Sequence, residues 1–207
     1  LRLHLRDIAP LPSLKWVGYL STTGVYGDQG GDWVDETTPR APTTKRGKRR
    51  ATAEMAWQEL HRTALAPVHL FRLPGIYGPG RSAFDAIKAG RTQRIFKEGQ
   101  FFSRIHVDDL ANTIIASMRQ PKAGAIYNIC DDEPAPPQDI TAYACDLAGL
   151  PVEPLTPIED AALSPMAASF YSESKRVRNT RMKVELGVDL AYPTYREGLS
   201  ALFAGQE

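Results

Sequence analysis

The chain has 207 residues, 43% of them hydrophobic and 24% charged, with 25 lysines and arginines against 24 aspartates and glutamates, for a formal net charge of +1. That length supports one large or two small cored domains and excludes a disordered or fibrous chain, and so small a charge leaves no global field to hold a polyanion. No apolar run approaches the roughly 18 residues of a membrane helix, and two cysteines, Cys130 and Cys145, are too few for a disulfide framework and lack metal-site spacing, as expected of a cytoplasmic protein in a reducing compartment.

The chain opens on Leu1 without a methionine, and residues 1–8 read as the last turns of an amphipathic helix because Leu1, Leu5 and Ile8 share a face. This start reads as the middle of something longer. Residues 14–20, almost wholly apolar between Pro12 and a Ser/Thr cluster, have the pattern of a strand buried on both faces. A loop rich in Gly, Asp, Thr and Pro follows over 24–41. Thr43 and Thr44 then offer caps for a helix running to about residue 64, and 67–73 is a second buried strand. Strand, loop, long helix and strand in that order form a crossover unit of a doubly wound parallel sheet. After Gly75 the elements shorten. A helix is expected near 82–89, strands near 94–96, 103–107 and 125–129, and helices over 108–119 and 136–147. A Pro-rich stretch leads to 165, and helices near 179–186 and 195–203 close the chain.

Candidate chemistry gathers where strands feed loops, the edge at which open α/β sheets bind ligands. Leu20-Ser-Thr-Thr-Gly-Val-Tyr-Gly27 ends the first strand. Behind it come Asp35-Glu-Thr-Thr-Pro39, Ala53-Glu54, Phe71-Arg-Leu-Pro-Gly-Ile-Tyr-Gly-Pro79, Ile105-His-Val-Asp-Asp-Leu-Ala111 and Ile126-Tyr-Asn-Ile129. In order and spacing these resemble the NAD-dependent epimerase/dehydratase family, extended or atypical short-chain dehydrogenase/reductases of the nucleoside-diphosphate-sugar epimerase type, from about Trp16 onward.

The resemblance implies an α/β fold in which residues 1–78 form the C-terminal part of an NAD(P)-binding Rossmann domain and 79–207 a smaller substrate-binding region. The family's glycine fingerprint for the dinucleotide phosphates is absent. Gly75, Gly78 and Gly80, with Pro79 between the last two, lack its spacing, so the first part of the Rossmann sheet is read as missing. NAD or NADP is the implied cofactor, its nicotinamide end near Ser21, Thr22, Arg50, Leu73 and Pro74. The implied partner is a small nucleotide-sugar-like substrate touching Tyr26, Arg104 and Tyr171; no nucleic acid, membrane or metal is expected, and a homodimer is compatible.

Catalysis in the family uses a Ser/Thr, a Tyr and a Lys. Thr22 matches the first, three residues before Val25. The Tyr-x-x-x-Lys slots fall on Arg46 and Arg50, and a guanidinium stays protonated and accepts no hydrogen bond, so Arg46 suits an anion contact rather than a general base. Being at i and i+4, the two arginines are expected to face Thr22 together as an anion site. The alternative function is a catalytically silent NAD(P)- or sugar-nucleotide-binding protein. A literal Tyr171-Ser-Glu-Ser-Lys175 match lies after the His-Val-Asp-Asp motif and reads as a solvated or substrate-facing loop. The family arginine four residues before His106 is Phe102 here, and Arg104 points to the same face two residues on. His106 reads as a buried structural histidine, and Asp108 and Asp109 as cap and dipole partners of a helix. The basic run from Lys45 to Arg50 divides between two helix faces rather than forming a nucleic-acid patch.

Overall fold

The computed structural model describes residues 13–205, so the helix expected over 1–8 lies outside the described residues. The chain enters on strand β1 (Val17–Thr22), whose last residue caps a single 3-10 turn (Thr23–Tyr26). A two-residue strand β2 (Trp33–Val34) interrupts the following loop. Helix α1 (Lys45–Ala64) starts where Thr44 Oγ1 accepts the Gly47 N–H at 3.1 Å and ends at Leu65, in the left-handed region at φ 53°. Gly47 is required by proximity, because a Cβ there would lie 2.7 Å from the Gly24 carbonyl oxygen of the 3-10 turn.

Strand β3 (Val68–Leu73) follows, buried at all six positions, and pairs in parallel with β1 from Val17↔Val68 to Thr22↔Leu73. The expected crossover unit is therefore present. Next come β4 (Gly75–Tyr77), α2 (Ala83–Lys88), β5 (Arg94–Phe96), β6 (Arg104–His106), α3 (Val107–Arg119) and β7 (Ile126–Asn128). β7 pairs in parallel with β3, completing the order β1-β3-β7. The sheet thus takes its third strand from beyond residue 78, so the boundary drawn there divides the sequence and not the sheet.

The remaining elements are α4 (Pro137–Leu147), β8 (Leu155–Pro157), a second 3-10 turn (Ile158–Asp160), α5 (Pro165–Tyr171), β9 (Arg176–Val177), α6 (Thr180–Leu186) and α7 (Tyr195–Ala204). Three small parallel pairs, β2 with β9, β4 with β6 and β5 with β8, tie distant segments together.

Phe71 and Tyr127 from the sheet and Ile129 just after β7 pack with Leu110 of α3 and Met182 and Leu186 of α6 in the main core. A separate core joins Phe84, Ala144, Tyr195 and Leu199 from α2, α4 and α7. The two sides of the sheet's central strand differ. Among the described residues β1 has no strand on its outer side, and Leu20 is 44% exposed there, whereas every β3 residue is buried.

Candidate functional site

A row of polar side chains crosses the carboxyl edge of the sheet, since Ser21, Arg72 and Asn128 are register partners on β1, β3 and β7. All three are buried, so each needs a partner, and Glu54 and Tyr26 supply them. Ser21 Oγ donates to Glu54 Oε1 at 2.6 Å. Arg72 forks onto Glu54, with Nη2 2.8 Å from Oε2, while its Nη1 donates to the Tyr26 hydroxyl at 2.9 Å. Tyr26 Oη in turn donates to Asn128 Oδ1 at 2.7 Å, and the Asn128 N–H donates to Glu36 at 2.7 Å. Arg40 reaches Glu54 from the loop at 3.3 Å. Five of the six motif segments in the sequence meet in this one network.

Two site assignments change as a result. Tyr26 is fully buried, and burial pushes its hydroxyl up to about 12, so it serves as a structural hydroxyl and not as a substrate contact. The Ser21 hydroxyl is likewise spent on Glu54. Thr22 remains partly open: its Oγ1 accepts the Gly24 N–H at 3.2 Å, which leaves the hydroxyl proton for another acceptor. Register pairing sets Leu73, followed by Pro74, beside Thr22, so the structure brings these residues to one edge.

The arginine pair separates. Arg50 Nη1 donates to the Tyr19 hydroxyl at 3.2 Å and to the Leu20 carbonyl at 3.1 Å, whereas the Arg46 guanidinium lies 4.9 Å from the centre of the Phe170 ring. Both are exposed and have different partners, in place of the shared anion site expected from their spacing. Like charges on one helix face are relieved by turning apart.

The Tyr171–Lys175 stretch is a buried clasp, which corrects the solvated-loop reading for its last three residues. Lys175 Nζ donates to Glu173 Oε2 at 3.0 Å, and Thr43 donates to the same carboxylate. Ser174 joins its own N–H to Asp28 at 2.8 Å and its hydroxyl to the Gly99 carbonyl at 2.7 Å. The bond from Ser174 N–H is the main reason Asp28 is held below the usual carboxylate range. Lys175 is therefore committed to Glu173. Tyr171 is half-buried, its ring edge-on to Phe102 at 5.7 Å, and burial raises its hydroxyl.

On β6, Arg104 is half-buried and lines an open cavity of about 260 Å³ with Tyr77, Arg81, Ser82, Thr141 and Tyr195. Its Nη1 donates to the carbonyls of Phe102 at 2.9 Å and Ala135 at 3.1 Å, leaving further guanidinium donors. His106 is buried between Tyr77 and Tyr192, with ring centroids at 5.2 and 4.0 Å, and burial lowers its pKa. It caps α3 itself, Nδ1 accepting the Asp108 N–H at 3.3 Å. Asp109 instead holds the loop before α7, accepting the N–H groups of Ala191 at 2.8 Å and Tyr192 at 3.0 Å. No cluster of three or more metal-ligating side chains occurs among the described residues. Sequence reasoning gave no part to Tyr77 or to the buried carboxyl of Asp131, whose own N–H bonds the Arg104 carbonyl.

The geometry agrees with comparisons to known proteins. A curated relative, Protein YeeZ of Escherichia coli K12, is 34% identical over 190 residues, which cover 92% of this chain and 63% of that protein. The chain thus spans a little under two thirds of that relative's length. A functionally unknown conserved protein from Silicibacter pomeroyi has a solved structure 55% identical to this chain, with a TM-score of 0.90, covering all of this chain and 70% of its own. At 21% identity the dTDP-glucose 4,6-dehydratase of Bacillus anthracis, solved with NAD, shares the fold, with a TM-score of 0.77 over 97% of this chain and 64% of its own. Residues 12–130 match the model of the NAD dependent epimerase/dehydratase family, and with its parallel Rossmann-type sheet the chain belongs to that family.

Proposed function

We propose that this chain is an NAD(P)-dependent nucleotide-sugar epimerase/dehydratase homologue, working in the cytoplasm on a small substrate whose anionic end is held at Arg104. The observation that carries the reading is the juxtaposition of two features. A carboxyl edge presents Thr22, Leu73 and Pro74, and a separate open cavity presents unspent guanidinium donors. The described residues fit the nicotinamide end of a dinucleotide at that edge. They do not fit its pyrophosphate, because Gly75 lies in β4 and Gly80 in the turn before the short α2, not in a glycine turn entering a long helix. Bound NAD(P) would supply hydride acceptance and return; Thr22 would orient a substrate oxygen with its free hydroxyl proton, and Arg104 would fix the charged end.

A second reading, a silent binding protein, is favoured by a specific observation. Arg46 lies on Phe170, Arg50 is held by Tyr19 and Leu20, and the Tyr26 phenol is saturated and buried, so none of these supplies a proton carrier for Thr22's edge. One experiment separates the readings: calorimetry of the full chain with UDP-glucose and NAD, followed by nicotinamide absorbance. Sugar-nucleotide binding that is lost in Arg104→Gln supports the shared part of both. Substrate-dependent reduction of NAD supports the enzyme, and binding without reduction supports the silent protein. Absence of sugar-nucleotide binding overturns both. NAD(H) alone is expected to bind feebly, and submicromolar affinity would contradict the fit described above. A homodimer is the expected assembly, checked by light scattering.

A further inference from the structure

Residues 131–133 are three consecutive acids leaving β7. The last two are compensated. Asp132 accepts from Lys183 Nζ at 2.6 and 2.7 Å and from Asn179 Nδ2 at 2.7 Å, and Glu133 pairs with Arg196. Asp131 is 1% exposed, and neither of its carboxyl oxygens closes a hydrogen bond of ordinary geometry with any described residue, the Glu133 backbone N–H being the donor nearest to doing so. Its own N–H donates to the Arg104 carbonyl at 2.7 Å, which sets the two residues side by side. Arg104 is the cation acting on this carboxyl, yet it forms no ion pair with it and spends Nη1 on the Phe102 and Ala135 carbonyls. A buried carboxyl without donors holds a charge poorly, and burial pushes Asp131 up to about 8 against the pull of Arg104.

We propose that Asp131 sets the anion affinity of the Arg104 cavity: a phosphate or carboxylate group is held by Arg104 while Asp131 is protonated, and is released when Asp131 ionises and takes Arg104 as its own counter-ion. The proposal rests on the reading of Arg104 as a ligand contact. Around Asp131, its own segment presents Cys130, Asp132 and Glu133, β6 presents Arg104, and β4 presents Tyr77; Tyr195 and Asp139 act on the same arginine from α7 and α4. Burial raises both the Cys130 thiol and the Tyr77 hydroxyl, so both stay neutral, and Asp132 and Glu133 keep their cations. Asp131 is thus the group whose charge changes in the working range.

The sign follows from linkage. A bound anion disfavours the second negative charge and raises Asp131 further. Anion affinity is therefore full below about pH 8 and falls above it, approaching about tenfold per pH unit.

Sulfate is a suitable probe because its own charge does not change over this range. Calorimetric titration of the full chain with sulfate from about pH 6.5 to about pH 9.5 spans the transition. The expected result is constant affinity at the acid end and a fall above about pH 8 in the wild type, with Asp131→Asn holding the acid-end affinity throughout. Arg104→Gln should bind no sulfate. Arg104→Lys, a variant that keeps the charge, should bind more weakly with the same pH break. The Asp131 carboxyl carbon resonance follows the ionisation directly and should move to higher pH with sulfate present. If Asp131→Asn keeps the wild-type pH profile while Arg104→Gln abolishes binding, the anion site stands and the role of Asp131 is overturned. If sulfate binding is absent or indifferent to Arg104, the reading of Arg104 as a ligand contact fails and the proposal falls with it.

Discussion

The polar row at the sheet edge and the cavity at Arg104 treat buried charge in opposite ways. In the row, Glu54 receives Ser21, Arg72 and Arg40, and each hydroxyl and amide around it is paired. Behind the cavity, Asp131 and the lining Arg104 lie side by side without an ion pair, and the Tyr77 hydroxyl has no partner among the described residues. The saturated region carries most of the motifs by which the family is recognised, so those residues hold the sheet's edge in shape more than they meet a ligand. The unsatisfied region is where chemistry toward a ligand remains available, because an orphaned buried group is stabilised by whatever arrives to pair with it.

The largest test of this contrast is the pH dependence of stability. Asp131 has a folded pKa near 8 against an ordinary 3.8, so the folded state binds the extra proton between those values and stability falls as pH rises through that window. Urea unfolding at each end should show a loss of up to about 6 kcal/mol in the wild type that is absent in Asp131→Asn. Flat stability in both proteins would place Asp131 among the satisfied groups. Next, Glu54→Ala strands the buried Arg72 and Ser21 and should cost about 3–5 kcal/mol by the same assay. A loss below about 1 kcal/mol would show the row to be solvated.

A smaller effect is expected where the cavity wall is tight. A Cβ on Gly198 of α7 would lie 2.0 Å from the Tyr77 hydroxyl oxygen, so Gly198→Ala should destabilise by about 1–3 kcal/mol despite the better helix propensity of alanine. The smallest effect belongs to neither region: Thr44→Ala removes the cap of α1 and should cost about 1 kcal/mol in thermal unfolding. It therefore serves as a reference for the other three.

Much of the frame was legible because its signals are local. The crossover of β1, α1 and β3 followed from two apolar runs and a capped helix between them, although β1 begins at Val17 and runs on to Thr22 rather than spanning 14–20. β5 fell where it was expected. Short elements set by distant pairing are not legible: β2 and β9 are two residues each, β8 lies within the Pro-rich stretch, and α5 begins at its last proline, where no helix is expected. At the site, the family resemblance sets Thr22 and Leu73 at one end of the cofactor, and the register of β1 with β3 pairs them. The resemblance sets Tyr26 against the substrate, and only the Asn128 and Arg72 partners from other strands reveal it as buried. Lys175 is likewise buried only through distant contacts, its partner Glu173 meeting Thr43 and the intervening Ser174 meeting Gly99.

Each strand ladder among the described residues is parallel, and this has a consequence for how the molecule is made. A parallel pair cannot close through a tight hairpin, so each ladder waits for a long intervening segment, and such distant contacts slow folding. The pair of β2 with β9 is the extreme case, joining 33–34 to 176–177. On a ribosome the loop after the 3-10 turn, with the Arg176 guanidinium stacked 5.3 Å from Trp33, cannot reach its final form until residues 176–177 have emerged. Trp33 fluorescence during refolding should accordingly report one of the last events, well after the β1–β3 sheet has formed.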